Sequence, residues 1–128
     1  MRKPMKDLPV RKSYFSEKMK GVEIFSEEWG DMVCACHRFA KGVDFTPHLV
    51  GQPDDLCPIP HYGYCFKGVF HVRYKDGHEE VMRGGDVFYL PPAHTMWVDE
   101  DTEVIEFSPL KVMSEGEKVA QTTLVLCV

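Results

Sequence analysis

Four residues between positions 48 and 94 carry side chains that ligate transition metals: His48, Cys57, His61 and His94. Imidazole nitrogen with one thiolate sulfur suits Zn²⁺ best and Fe²⁺ next, whereas Mg²⁺ and Ca²⁺ ask for oxygen. Cys57 and His61 are four residues apart, about 13 Å in a fully extended chain. They can share an ion only if the backbone bends, and Pro58 and Pro60 lie between them. His48 ends one expected strand and His94 follows Pro91-Pro92, so closing a β barrel brings both toward its mouth. Four protein ligands close a zinc site; with Cys57 labile or uninvolved, three histidines leave a position for water or substrate.

The elements that must position these residues are almost all strands. Gly21 to Ser26, Asp31 to Ala40 and Gly42 to His48 read as short strands with turns about every ten residues. Gly51 to Pro60, with three prolines and two aspartates, reads as a loop, and Tyr62 to Phe66 as the next strand. Val69 to Tyr74 and Glu79 to Met82 flank Asp76-Gly77, a strong hairpin signal. Val87 to Leu90, Met96 to Val98 and Glu103 to Phe107 follow, and only Leu110 to Gln121 has a helical pattern, weakened by Gly116. Many short strands without helical crossovers imply an all-β sandwich or barrel of jelly-roll form with a short C-terminal helical segment.

Length and composition support one domain. The chain has 128 residues, 44% of them hydrophobic, enough for a single core. Its net charge of -5 and pI near 5.6 argue against a general nucleic-acid binder. Residues 1–20 nevertheless carry seven basic side chains against Asp7 and Glu17, a surplus of 5 that leaves −10 on the rest. They are expected to form a basic, loosely ordered arm on the acidic body or on a partner subunit, with residues 21–128 as the domain. No apolar run suits a signal peptide or a membrane span, so the chain is expected to be soluble, cytoplasmic and without a membrane partner. Five cysteines, an odd number, do not form a secreted disulfide framework, and reduced thiols are expected.

The order of the Cys/His cluster, Tyr64-Cys-Phe-Lys-Gly68, Asp76-Gly77, Gly85-Asp86 and Leu90-Pro91-Pro92-Ala-His94 resembles the cupin superfamily over residues 42–108. The resemblance implies an RmlC-like double-stranded β-helix, or jelly-roll barrel, with a metal inside. Counting back from Gly68, His61 falls where the family places a Glu and Cys57 where it places a His. Counting forward from Gly85, Met96 takes the usual ligand position and His94 stands two residues early. The spacing also resembles an uncharacterised branch of small single-domain cupins with Cys/His in the first motif and Pro-Pro-x-His in the second. Homodimers are expected on the same resemblance.

Parity puts His61, Gly63 and Cys65 on one strand face and Tyr62, Tyr64 and Phe66 on the other, and the resemblance turns the first set inward. Cys65 is then expected beside His61, with Tyr64, Cys65, Met96 and Trp97 as candidate pocket residues. Cys34, Cys36 and His37 read as two core cysteines beside a surface histidine; His71 and His78 read as exposed. No Ser-His-Asp order or phosphate loop is present. Two functions are implied: a metal-dependent enzyme acting on a small polar molecule, or a non-catalytic metal- or ligand-binding sensor. The general base that the enzyme needs has no obvious owner in the sequence.

Overall fold

In the computed structural model, which describes residues 1–110, eight strands form two antiparallel sheets packed face to face. They are β1 (Val22–Trp29), β2 (Met32–Phe39), β3 (His61–Lys67), β4 (Val69–Tyr74), β5 (Glu79–Arg83), β6 (Val87–Leu90), β7 (His94–Val98) and β8 (Thr102–Pro109). The larger sheet runs β1-β2-β8-β3-β6 and the smaller β5-β4-β7. This is the all-β jelly-roll barrel; the expected helical segment lies, from Lys111 on, outside the described residues. No helix among the described residues is long and apolar enough to cross a membrane.

The strands follow from period-two patterning. In β4, Phe70, Val72 and Tyr74 point inward and alternate with half-buried Val69, His71 and Arg73. Burying a side chain such as Phe70 contributes about 1.5–3 kcal/mol. The β4–β5 turn is the expected Asp76-Gly77 hairpin, with Gly77 at φ 90°.

The expected strand from Gly42 to His48 does not form. Asp44 makes an isolated bridge to Trp97, and Thr46–His48 is a 3₁₀ turn with Pro47 inside it. Backbone bonds still tie this segment to β7, Phe45 N–H to the Met96 carbonyl at 3.0 Å and Val98 N–H to the Val43 carbonyl at 2.9 Å. Further on, Cys57 bridges His94: Cys57 N–H donates to the His94 carbonyl at 2.8 Å, and Ala93 N–H to the Cys57 carbonyl at 2.8 Å. The 40–60 segment is thereby drawn along β7.

The basic N-terminal segment lies on its own barrel. Val10 bridges Phe25, Arg11 N–H donates to the Ile24 carbonyl at 2.8 Å, and Lys3 pairs with Glu27 at 2.7 Å. It then forms a five-residue helix, α1 (Tyr14–Lys18), capped by Ser13, which drops Phe15 into the core.

Candidate metal centre

β3 and β7 enter the site from opposite sheets. β3 begins at His61 with its side chain inward, and β7 begins at His94, turned inward after Pro91-Pro92 and a left-handed Ala93 at φ 70°. The bridge between Cys57 and His94 then places the cysteine beside both. One donor atom from each of Cys57, His61 and His94 lies within 4.8 Å of the others, and all three residues are buried. The kink expected at Pro58 and Pro60 is what allows this: Cys57 Sγ sits 3.7 Å from His61 Nε2.

The second nitrogen of each ring is committed. His94 Nδ1–H donates to the Pro91 carbonyl at 2.8 Å, which leaves Nε2 with its lone pair. His61 Nδ1 lies 2.6 Å from Ser108 Oγ and 3.6 Å from a Glu106 carboxylate oxygen. The carboxylate favours the proton on Nδ1, so Nε2 again carries the lone pair, toward Cys57. Burial pushes the His61 imidazole down to about 3 and the His94 imidazole below its ordinary range, so both are neutral and able to ligate.

Behind His61 lie two residues not expected there. Glu106 and His37 are buried, with His37 Nδ1 3.4 Å from the carboxylate. Strand register explains the meeting. Glu106 stands opposite Ala35 on one side and Gly63 on the other, neither of which fills the space. The carboxylate therefore meets the diagonal neighbours, His37 and His61. Burial pushes the Glu106 carboxyl up, but the imidazoles of His61 and His37 outweigh it and bring it down to about 2. Among the described residues, Glu106 Oε2 and both His37 nitrogens have no hydrogen-bond partner.

His37 is thus not a surface histidine. The expected alternation of β2 holds, but its inner face carries Val33, Ala35, His37 and Phe39, and the opposite face, with Cys34 and Cys36, is also buried. Cys34 borders a cavity under Met1, Leu8 and Trp29, so the N-terminal segment makes that face interior. Reduced thiols hold for Cys34, Cys36 and Cys65, whereas Cys57 is disulfide-bonded. Its sulfur is a thiolate donor only after reduction.

The remaining expected residues divide. His48 stands apart from the three-residue group, half-buried on the 3₁₀ turn, with Nδ1 3.5 Å from the Tyr14 hydroxyl. The turn that replaces the expected strand gives the inward position to Leu49. Met96 borders the cavity. Cys65 is fully buried on the His61 face of β3 but bonds to the Lys67 carbonyl at 3.3 Å and does not border it. Tyr64 does not border this cavity: it is exposed on the outer face and packs on Phe66. Trp97 also points outward, stacked on His71 at 5.3 Å with Arg73 over its ring. His71 is therefore half-buried rather than exposed, and His78 is exposed as expected.

The cavity bordered by Cys57, His61, His94, His37 and Glu106 has a volume of about 20 Å³. A single water needs roughly 10–15 Å³ by the same measure, so in this conformation the space is sized for one ion or one water. Phe15, Phe45 and Leu49 close it.

No protein-family model matches the chain. No curated protein matches it either. Solved structures do. A protein of unknown function from Rhizobium leguminosarum aligns with TM-score 0.59 and 17% identity over 85% of this chain and 96% of its own. An RmlC-like cupin from Shewanella frigidimarina gives 0.58 and 17% over 84% and 87%. A salicylate 1,2-dioxygenase from Pseudoaminobacter salicylatoxidans gives 0.57 and 13% over 79% of this chain but 30% of its own. At these identities the likeness concerns the fold, the barrel of the cupins.

Proposed function

We propose that this chain of cupin fold binds one divalent transition-metal ion inside its barrel, on His61 and His94, and acts with it on a small polar molecule. One observation carries the reading: two neutral imidazoles from opposite sheets, each with Nδ1 committed, present Nε2 beside Cys57 Sγ. Zn²⁺ fits this donor set first and Fe²⁺ second. Cys57 becomes a third ligand when its disulfide is reduced. A bound ion of this kind polarises a carbonyl or carboxylate oxygen. In this reading Glu106 offsets part of its charge and serves, with His37, as the acid–base group.

A second reading, a closed non-catalytic metal or redox sensor, is favoured by the cavity volume of about 20 Å³ and by the disulfide at Cys57. The fold does not choose between them, since the same barrel serves a dioxygenase in one neighbour.

Elemental analysis of the purified chain, before and after reduction, tests the proposal. One equivalent of zinc or iron is expected, lost in His61→Ala and in His94→Ala. Absence of any transition metal after expression in supplemented medium overturns it. Bound metal with an exchangeable water favours the enzyme; four-coordinate zinc without one favours the sensor.

The reading includes a homodimer. Tyr62, Tyr64, Val87, Tyr89 and Phe107 are exposed on the outer face of neighbouring strands β3, β6 and β8, with Tyr62 stacked on Tyr89 at 4.8 Å. A contiguous aromatic patch of this kind is unusual on a monomer.

A further inference from the structure

The cavity has a plug. Phe15 is 1% exposed and packs edge-to-face on Phe45 with ring centroids 4.7 Å apart, on the wall of the same cavity that Glu106 and His37 border. Its helix is anchored at both ends by sheet contacts, the Val10–Phe25 bridge before it and β1 after it. Between them, among the described residues, backbone bonds of α1 run only within the segment: Glu17 N–H to the Ser13 carbonyl at 2.9 Å and Met19 N–H to the Phe15 carbonyl at 3.0 Å. The polar tie from the helix to the 3₁₀ turn is Tyr14 to His48 at 3.5 Å, at the long limit of a hydrogen bond. Among the described residues, lifting α1 therefore breaks no sheet hydrogen bond, and it withdraws one aromatic ring from the cavity.

What the vacated space would recognise follows from its walls. Phe39, Phe45 and Leu49 are apolar and fit an apolar body. Glu106 Oε2 and both His37 nitrogens are buried and make no hydrogen bond among the described residues, the carboxylate having only the imidazoles of His37 and His61 at 3.4 and 3.6 Å, so each is open to a polar group of a ligand. A hydroxyl donates and accepts at one oxygen, so it can serve the carboxylate and an imidazole N–H together.

We propose that Phe15 occupies the position of a ligand, and that displacement of α1 admits a small molecule with an aromatic-sized apolar body and one hydroxyl, held by Glu106 and His37. The proposal rests on reading this cavity as the ligand site and asks nothing of the metal ion.

Chelator-treated full-length protein tests it, with phenol and toluene as probes in calorimetric titration. Phe15→Ala is expected to bind phenol about tenfold more tightly than toluene, the worth of one added hydrogen bond. The preference should vanish in Phe15→Ala/Glu106→Gln, and the wild type should bind phenol more weakly than Phe15→Ala. Equal binding of the two probes by Phe15→Ala, or a preference untouched by Glu106→Gln, marks a mere hydrophobic void and overturns the proposal. Should Phe15→Ala not fold, hydrogen exchange of the wild type decides. Saturating phenol should speed amide exchange at residues 14–19 and toluene should not; unchanged exchange overturns it. Because no ion is present, failure here leaves the metal reading untouched, and that reading stands or falls on elemental analysis.

Discussion

His61 and Ser108 are joined at 2.6 Å, Nδ1 to Oγ, inside the barrel. The pairing of Tyr62 with Phe107 sets it, since one residue further along each strand His61 stands beside Ser108. The contact fixes the ring, and the Glu106 carboxylate at 3.6 Å favours the tautomer with its proton on Nδ1. Removing the hydroxyl should loosen the ring without removing a ligand. Ser108→Ala is expected to weaken zinc binding by about tenfold, the lower end for a group that orients a ligand. A competition titration against a chromophoric chelator measures it, with an unchanged far-ultraviolet spectrum showing that the barrel persists.

Metal should also stabilise the fold. An ion that binds only the folded chain adds about 2.7 kcal/mol at a hundred times its dissociation constant. Thermal unfolding with and without zinc is expected to show an increase in the wild type. The increase should be absent in His94→Ala, whose remaining imidazole cannot hold the ion alone.

Acid should unfold the protein earlier than its carboxylates alone would require. His61 takes up a proton near 6.5 in the unfolded chain and near 3 in the folded one, and His94 is displaced in the same direction. Between those values the unfolded state binds more protons, so stability falls as pH falls, by up to about 1.4 kcal/mol per pH unit for each imidazole. Glu106, held down at about 2 from an ordinary 4.5, adds its own loss below that point. Denaturant midpoints at pH 7.5, 6.0 and 5.0 should decline in the wild type and decline less in His61→Asn. A flat profile across that range would contradict the buried neutral imidazoles.

Much of the barrel can be read from the chain because its signals are local. Asp76-Gly77 makes its hairpin by turn chemistry, and alternation in β4 fixes which residues face inward. Cys57 and His61 were legible because prolines force a bend between them. His37 and Glu106 were not. In β8 the inward residues are Thr102, Val104, Glu106 and Ser108, while Ile105 and Phe107 face out. Hydropathy assigns these faces the other way round, because the outer face is itself partly covered by the N-terminal segment at Met1 and Leu8. The side that a strand turns inward depends on partners far away in sequence, and a single chain carries no local mark of it. His48 lies apart from Cys57, His61 and His94 for a related reason: a 3₁₀ turn containing Pro47 changed the parity that a strand would have given it.

The site also depends on a residue without a side chain. A Cβ on Gly63 would lie 2.2 Å from the Ile105 carbonyl oxygen and 2.5 Å from the Phe88 ring, so β8 could not keep its distance. Gly63 also faces Glu106 across the sheet, and its smallness lets the carboxylate reach His61. Gly63→Ala must push backbone as well as ring, and overpacking of this kind costs about 1–3 kcal/mol. Its denaturant midpoint should fall accordingly. Zinc affinity should fall too, because displacing β8 moves Ser108 and Glu106 away from His61. Gly77→Ala is a control: nothing lies within 4 Å of its Cβ, so its penalty comes from the positive φ of 90° alone. That variant should lose stability while keeping its zinc affinity. Equal loss of zinc affinity in both variants would show that general destabilisation, not the geometry around Glu106, controls the ion.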